Sequence, residues 1–224
     1  MAQKDSEEAV STAYYLMGDE ETSRDEIIDR FSQNSQRYDK IMEAVNHMSP
    51  TLTAQTTAEL FPSNRKDVYI LDVAAGTGLC AEKLYSHGFQ KMDALEPSNR
   101  MLDEAMKKGL YGRYFIEALG ESALNIANDT YDAVTISAMS SMVLIKLPKE
   151  AFEELIRIVK PGGFVINTAF SNVLSDGGDA NAVLLRENMK TLEDQGKWKH
   201  VELKHFPHVV LGNNMSVSVH KVLT

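Results

Sequence analysis

The chain of 224 residues has little cysteine and no long apolar run. Cys80 is its single cysteine, so no disulfide can form within the chain, which fits a reducing, intracellular setting. The uncharged run 133–145 has thirteen residues including four Ser or Thr, whereas a membrane-spanning helix needs about 20 mostly apolar residues. Residues 1–10 are polar and acidic and lack the basic and apolar segments of a secretory signal. We therefore expect a soluble protein without a membrane partner, located in the cytoplasm or, as the alternative, in the nucleus.

Positive charge is also scarce. The chain has 32 Asp and Glu against 23 Lys and Arg, which gives a net charge of −9. Because general nucleic-acid binding depends on clustered Lys and Arg that neutralise phosphates, we expect no such activity. Hydrophobic residues make up 43% of the chain and charged residues 25%, as in ordinary globular proteins. The sequence gives no oligomeric state.

From residue 68 onward, short β-rich runs alternate with helix-like segments. The predicted strands are 68–73, 91–96, 113–118, 131–137, 164–170, 198–206 and 216–221. The predicted helices are 79–87, 99–108, 148–159 and 180–195. Ser98 and Gly109 are the predicted start and stop signals of the second helix, Lys160–Gly163 is a tight turn, and Gly212–Asn214 is the turn of a hairpin. The alternation predicts an α/β fold: a Rossmann-like, doubly wound, seven-stranded sheet, mostly parallel, with an antiparallel C-terminal hairpin.

The first 60 residues are different in character. They have helical patterning, with Tyr14, Tyr15, Phe31 and Tyr38 as apolar markers, and no strand-like run. We interpret 1–60 as a helical lid within the same domain and 61–224 as the cofactor-binding domain. The lid is expected to close over the cofactor and exclude water.

The most informative segment runs from Val68 to Leu79. It is a strand that ends in the carboxylate of Asp72, followed by a small-residue loop with Gly76 and Gly78, and then a helix. Glycine can adopt positive φ angles and lets a ligand approach the backbone closely. Glu96 ends the next strand, where a carboxylate can accept hydrogen bonds from both ribose hydroxyls of a nucleoside.

Two nucleoside cofactors fit this pattern. Gly76-x-Gly78-x-x-Ala81 matches the dinucleotide fingerprint, so NAD is the alternative. A diphosphate over the loop would, however, lie close to Asp72, and each repulsion would cost about 3 kcal/mol at ~5 Å and an effective dielectric of ~20. S-adenosylmethionine has no phosphate, and its ammonium would be attracted to Asp72. Charge therefore favours S-adenosylmethionine.

The same segment resembles a known family. Leu71–Gly78 is similar to motif I of the class I S-adenosylmethionine-dependent methyltransferases, Tyr131–Val134 resembles the entry to their fourth strand, and Lys160–Gly163 resembles their turn into strand five. Leu95–Ser98, together with Met101-Leu102, Gly109–Tyr111 and Tyr38-Asp39, more narrowly resembles the group of methyltransferase-like proteins typified by the one of the Williams–Beuren syndrome region.

The resemblance implies roles for individual residues. The motif I loop would hold the methionine part, Glu96 the ribose, and Pro97 with Met101 the adenine. Ala74 departs from the family, which usually has Gly at this position. The predicted cofactor-binding residues are Tyr38, Asp72, Ala74, Gly76, Thr77, Gly78, Glu96, Pro97, Ser98, Met101, Glu117, Ala118, Leu119, Ser137 and Ala138.

The resemblance implies methyl transfer to oxygen, nitrogen or carbon, and we expect a small-molecule acceptor. The end of strand four, Ser137–Ser141, lacks the Asp/Asn-Pro-Pro-aromatic sequence of amino-directed nucleic-acid methyltransferases, and it contains no histidine base. No catalytic residue is identified. The alternatives are a non-catalytic S-adenosylmethionine-binding protein, then a protein or RNA methyltransferase, then an NAD-dependent oxidoreductase. Candidate acceptor-side residues are Tyr14, Tyr15, Tyr38, Met139, Met142 and Phe170.

The histidines near the C-terminus do not predict a metal site. His200, His205 and His208 are separated by odd intervals, so on a continuous strand neighbouring members of this series point to opposite faces. We therefore expect surface histidines and no metal.

Overall fold

The computed structural model describes the backbone of residues 2–224 and the side chains of residues 7–224. Nine α-helices are found in this part of the chain. They are α1 Ala2–Met17, α2 Arg24–Ala44, α3 Ser49–Leu60, α4 Leu79–Ser86, α5 Asn99–Lys108, α6 Ser141–Leu144, α7 Lys149–Ile158, α8 Ser171–Leu174 and α9 Val183–Asp194. Short 3-10 turns cover Arg65–Asp67 and Ala180–Ala182. No helix among residues 2–224 is both long enough and apolar enough to cross a membrane.

The strands form a single seven-stranded sheet within the described chain. They are β1 Tyr69–Val73, β2 Lys91–Leu95, β3 Tyr114–Phe115, β4 Tyr131–Ser137, β5 Val159–Phe170, β6 Trp198–Val210 and β7 Asn213–Val222. The order is β3-β2-β1-β4-β5-β7-β6, and β7 pairs antiparallel with both β5 and β6. The predicted α/β fold is confirmed. The strand order reverses between β1 and β4, and α/β proteins bind ligands in the crevice at such a switch point.

The helices cover both faces of the sheet because the buried strands are apolar on both sides. Ile70 of β1 packs into the layer that contains α3 and α4, and its neighbour Leu71 packs into the opposite layer with α7 and α9. Both side chains are fully buried. Continuous apolar strands of this kind are typical of parallel sheets covered on both faces.

Helix α5 has the predicted bounds because its end signals are local. The Ser98 Oγ accepts a hydrogen bond from the Met101 backbone N–H at 3.2 Å, and Gly109 ends the helix with φ +64°. An N-cap hydroxyl satisfies one of the free N–H groups of the first turn, and a left-handed glycine satisfies carbonyls at the end.

Three predicted boundaries need correction. The strand expected at 113–118 contains only Tyr114 and Phe115, so the chain leaves the sheet earlier than expected. Lys160–Gly163 is not a turn between separate elements but a bulge inside β5: Val159 pairs with Tyr131, and the next paired residue, Phe164, is opposite Ala133. The hairpin turn is shorter than predicted, with Val210 paired to Asn213 across Leu211 and Gly212, whose φ angles are +49° and +74°.

A bulge also changes the faces of β6. His200 pairs with His220, but the next paired residue is Glu202 opposite Val219, so Val201 is an extra residue. His205, opposite Ser216, therefore lies on the same face as His200, contrary to the expectation for a continuous strand. A bulge puts two residues opposite one and reverses the alternation beyond it.

The three N-terminal helices differ in their environment. Helix α3 packs on the sheet: its Thr53 hydroxyl contacts the Thr168 hydroxyl of β5 at 2.7 Å and donates to the Ser137 hydroxyl of β4 at 3.2 Å. Helix α2 instead runs over the carboxyl ends of the strands. The grouping of residues 1–60 into one lid stays a prediction.

Candidate functional site

A cavity lies at the carboxyl ends of β1, β2 and β4, underneath α2. It encloses about 900 Å³, including its open mouth. The predicted site residues that line it are Tyr38, Ala74, Gly76, Thr77, Glu96, Pro97, Met101, Glu117, Ala118, Leu119, Ser137 and Ala138. Three predicted residues, Asp72, Gly78 and Ser98, lie directly behind this lining. The structure thus brings the predicted set together, and its role in cofactor binding stays a prediction.

The loop after β1 is built from residues in the left-handed conformation. Ala74, Gly76 and Gly78 have φ angles of +55°, +56° and +85°. A Cβ atom on Gly78 would lie 3.3 Å from the Tyr111 ring. Gly76 and Gly78 adopt this conformation without strain, whereas the methyl group of Ala74 makes it unfavourable. The loop therefore keeps the left-handed conformation typical of glycine even at Ala74.

Glu96 joins the end of β2 to this loop. Its Oε2 accepts a hydrogen bond from the Gly76 N–H at 3.1 Å, and its Oε1 accepts one from the Ser98 N–H at 3.0 Å. The side chain is buried, and this burial raises the pKa of Glu96 to about 7, although the two backbone hydrogen bonds oppose the shift. A buried carboxylate at the edge of a cavity is well placed to accept further hydrogen bonds from a ligand.

Asp72 lies beneath the loop and does not line the cavity. Its Oδ2 accepts a hydrogen bond from the Tyr111 hydroxyl at 2.6 Å, and its Oδ1 accepts one from the Thr135 hydroxyl at 2.7 Å. Burial raises the pKa of Asp72 to about 6, against the effect of these hydrogen bonds. The structure therefore puts the carboxylate one layer below the surface that a ligand would touch. Cys80 is buried beside it, and burial raises the pKa of its thiol.

Helix α2 is fastened to the cavity by polar contacts along its length. The Thr77 hydroxyl donates to Asp39 Oδ1 at 2.5 Å, and the same carboxylate pairs with Lys108 of α5 at 2.8 Å. The Ser32 and Ser98 hydroxyls are 2.6 Å apart. Near the start of the helix, Arg24 donates to the Leu119 carbonyl at 2.8 Å. These contacts hold α2 over the loop, so the structure describes a covered site.

Tyr38 of α2 and the end of β4 form a further part of the cavity lining. Tyr38 packs against Phe31, with ring centroids 5.8 Å apart. Burial, together with the nearby carboxylates of Asp39 and Glu96, raises the pKa of the Tyr38 phenol, so this group stays protonated. Ala138 has φ +58°, and its N–H donates to the Thr168 carbonyl at 2.9 Å.

The sequence analysis missed part of the lining. Arg24, Ile27, Ile28 and Phe31 extend from α2 into the cavity. Their spacing of three and four residues, continued by Tyr38, marks one face of a helix, and this signal could have placed all of them beside the cofactor. The other lining residues that were not predicted are Pro50, Val73, Ala75, Leu79, Cys80, Leu95, Ser140 and Val143.

The acceptor-side candidates divide between two places. Tyr38, Met139 and Phe170 line one cavity beside the strand ends, and Tyr14 and Met142 line an adjoining surface cleft. Tyr14 and Tyr15 are exposed by 51% and 49%, and Tyr15 carries the Arg30 guanidinium 4.4 Å above its ring centre. Tyr15 therefore lies outside the site.

Residues 7–224 contain no group of three side chains that could hold a metal ion. The C-terminal histidines make other contacts. His205 Nδ1 is 2.8 Å from the Ser216 hydroxyl. His220 is buried, so the prediction of surface histidines is wrong for this residue, and its ring stacks on Trp198 with a centroid distance of 4.4 Å.

Comparison with known proteins identifies the domain. Residues 70–163 match the family model described as a methyltransferase domain. Human methyltransferase-like protein 27 is 32% identical over 163 residues, which cover 72% of this chain and 64% of that protein. The demethylmenaquinone methyltransferase of Renibacterium salmoninarum is 37% identical over 105 residues, which cover 46% of this chain and 41% of the relative. The chain thus spans less than two thirds of either relative.

A solved structure agrees in fold. The S-adenosylmethionine-dependent methyltransferase of Leishmania major superposes with a TM-score of 0.62 at 15% identity, covering 87% of this chain and 81% of that one. The matched domain model contains both the glycine loop and Glu96. Residues 70–163 are thus similar in sequence to a methyltransferase domain, and the chain has the fold of an S-adenosylmethionine-dependent methyltransferase.

Proposed function

We propose that the protein transfers a methyl group from S-adenosylmethionine to a small-molecule acceptor, at an oxygen, nitrogen or carbon atom. The cavity at the carboxyl ends of β1, β2 and β4 is called the cofactor cavity from here on. The observation that carries this proposal is a second cavity, here called the side cavity, which adjoins the cofactor cavity. The residues that line both are Phe31, Tyr38, Ala138, Met139 and Ser140. An enzyme that joins two molecules needs two adjacent binding sites, and this arrangement provides them.

Glu96 fits the ribose of the cofactor. Each oxygen of an ionised carboxylate can accept two hydrogen bonds, and each Glu96 oxygen already accepts one from a backbone N–H. One acceptor position per oxygen therefore remains, which matches two ribose hydroxyls.

The charges of the lining also fit this cofactor. The charged side chains that face the cavity are Arg24, Glu96 and Glu117. Arg24 is already engaged by the Leu119 carbonyl and lies 3.6 Å from Glu121. The lining therefore provides no free cation for a diphosphate, and its net negative charge suits a positively charged ligand. These observations support S-adenosylmethionine over NAD.

When bound, S-adenosylmethionine supplies a methyl group that is activated by its positively charged sulfur. The protein's task is then to position the two molecules and to exclude water, since orientation alone can lower the barrier substantially. Helix α2 covers the cavity, and its contacts through Thr77 and Ser98 hold it there. The protonated Tyr38 phenol would act as a hydrogen-bond donor rather than as a base.

The position of the side cavity and the charge of the chain support a small molecule. The side cavity lies between helices, strand ends and the C-terminal hairpin, which suits a compact ligand. The net charge of −9 disfavours RNA.

The experiment is transfer of a labelled methyl group. The purified protein is incubated with methyl-labelled S-adenosylmethionine and a cell extract, and the products are separated into low-mass and macromolecular fractions. We expect label in the low-mass fraction, and loss of this label in Glu96→Ala. Label confined to protein or RNA would contradict a small-molecule acceptor, and no label in any fraction would contradict catalysis.

A further inference from the structure

The side cavity lies at the junction of three parts of the chain. Its lining comes from α1 and α2, from the ends of β4 and β5, and from the C-terminal hairpin. Besides the five shared residues, the lining residues are Ala13, Met17, Met42, His47, Ser141, Ala169, Phe170, Val210 and Met215. An open surface cleft adjoins it, lined in part by Met17, Ser141 and Phe170. The side cavity therefore lies between the surface cleft and the cofactor cavity.

Apolar side chains dominate this lining. Four methionines contribute: Met17, Met42, Met139 and Met215. Among the described residues of the lining, none is an acid, a lysine or an arginine. A charged acceptor would lose its hydration here without gaining a counter-ion, which is strongly unfavourable. An uncharged, mainly apolar acceptor suits the side cavity, and the flexible methionines can adapt to its shape.

His47 is the polar exception. It follows α2 in a tight turn, with Asn46 at φ +50° and the His47 N–H donating to the Met42 carbonyl at 2.9 Å. Its Nδ1 is out of reach of solvent and has no hydrogen-bond partner among the described residues. Burial lowers the pKa of His47 to about 4, so the ring is neutral at pH 7.

A shielded ring nitrogen without a partner is unfavourable unless a ligand supplies one. A neutral imidazole carries one donor and one acceptor nitrogen, and either can face the ligand. A hydroxyl group both donates and accepts, so it satisfies His47 in either tautomer. A carboxylate only accepts, and it would also be buried without a cation.

We propose that the side cavity holds the methyl acceptor, that this acceptor is an uncharged, mainly apolar molecule with a hydroxyl group, and that His47 hydrogen-bonds this hydroxyl. The inference rests on the proposed methyl transfer, and it adds the class of acceptor and the residue that selects it. The flexible side chains around His47 shift to admit the hydroxyl when the acceptor enters from the surface cleft.

The test compares three probes of one ring system: 1-naphthol, naphthalene and 1-naphthoate. Each is titrated into the protein saturated with S-adenosylhomocysteine, and binding is measured by calorimetry at pH 7. We expect 1-naphthol to bind at least tenfold more tightly than 1-naphthoate and several-fold more tightly than naphthalene. Equal or tighter binding of 1-naphthoate would overturn the proposal.

Variants of His47 assign the preference. His47→Phe should bind naphthalene at least as well as the wild type and lose the preference for 1-naphthol, while its affinity for S-adenosylhomocysteine stays unchanged. His47→Asn, which keeps a donor and an acceptor, should restore part of the preference and serves as the second variant if His47→Phe misfolds. The exposed His200→Phe is the matched control and should behave as the wild type. A hydroxyl preference that survives in both His47 variants would refute the role of His47.

The outcomes separate this inference from the proposed function. If 1-naphthol binds in a way that depends on His47 but no acceptor is methylated, the proposed function is contradicted and the side cavity remains a ligand site. Methyl transfer to an acceptor that is charged at pH 7 would support the function and overturn the inference about the side cavity.

Discussion

The buried carboxylate of Glu96 should make cofactor binding depend on pH. The free protein has a Glu96 pKa of about 7, raised from 4.5 by burial. Ribose hydroxyls donate hydrogen bonds, and such bonds to an ionised oxygen are about twice as strong as those to a neutral one. The ionised form therefore binds the cofactor better. When Glu96 is protonated in the free protein, it must release this proton as the cofactor binds.

The size of the effect follows from this pKa. With a value of about 7, roughly nine tenths of Glu96 is ionised at pH 8 and one tenth at pH 6. The dissociation constant of S-adenosylhomocysteine should thus rise about tenfold from pH 8 to pH 6, which corresponds to about 1.4 kcal/mol. In Glu96→Gln the charge is absent at both pH values. Binding at pH 8 should weaken by about 2 kcal/mol, since two charge-assisted hydrogen bonds become neutral ones, and the pH dependence should disappear.

Folding stability gives an independent readout with the opposite sign. Because the folded-state pKa is raised, the folded protein retains a proton that the unfolded chain releases near pH 4.5. Without cofactor, this contribution is fully present below about pH 4.5 and is lost as the pH rises towards 7, by at most about 1.4 kcal/mol per pH unit and about 3 kcal/mol in all. Asp72 and His47 also have shifted pKa values, but they contribute equally to the wild type and to Glu96→Gln. Between pH 5 and 7 the free energy of unfolding of the wild type, relative to that of Glu96→Gln, should therefore fall by up to about 1.4 kcal/mol per pH unit in denaturant unfolding.

Calorimetric titrations at pH 6, 7 and 8 would measure the affinities. The control is Glu187→Gln, an exposed residue of α9, which should keep the wild-type pH dependence. A tenfold change that persists in Glu96→Gln would show that another group is responsible. An affinity of Glu96→Gln within twofold of the wild type at pH 8 would mean that Glu96 does not contact the cofactor.

Three further predictions concern the loop and the residues around it. Ala74→Gly should raise the free energy of unfolding by about 0.5–1 kcal/mol, because φ +55° is strained for alanine. Ala75 lies outside the left-handed region, so Ala75→Gly should lower the free energy of unfolding. A loss of stability in both variants would refute backbone strain at Ala74. Tyr111→Phe removes the hydrogen bond to Asp72 and should lower the free energy of unfolding by about 1–3 kcal/mol at pH 8. The loss should be smaller at pH 5, where Asp72 with its pKa of about 6 is mostly protonated. An equal loss at both pH values would contradict an ionised Asp72 at pH 8. Thr77→Val should speed hydrogen exchange in α2 by removing the hydrogen bond to Asp39, and unchanged protection would mean that this contact does not hold the lid.

The parts of the fold that the sequence predicts are those encoded by near neighbours in the chain. Helix α5 needs only Ser98 at one end and Gly109 at the other, so its bounds can be predicted from the sequence. The loop after β1 can be predicted for the same reason, since its small residues are consecutive. The bulge in β5 has no such local signal, because it is defined by pairing with β4 across the sheet.

In the site, too, the residues with local sequence signals were predicted, and those that depend on contacts between distant parts of the chain were not. Glu96 was predicted from its position at a strand end, and its partners Gly76 and Ser98 lie in motifs that were already visible. Tyr111, which donates to Asp72 from 39 positions away, was not predicted as its partner. His47 likewise has no motif around it. Its significance arises only when α1, α2 and the C-terminal hairpin come together.

The contacts beneath α2 connect the position of this helix to the buried carboxylate of Glu96. Ser98 lies at the centre: its N–H donates to Glu96, and its hydroxyl both caps α5 and contacts Ser32 of α2. The neighbouring Gly76 donates to the other Glu96 oxygen, and the next residue, Thr77, donates to Asp39 of α2. Opening α2 therefore breaks hydrogen bonds made by the same short segments that orient Glu96. The position of α2 and the geometry of Glu96, the proposed ribose-binding acid, thus depend on one polar network, and a cofactor that strengthens either part should stabilise both.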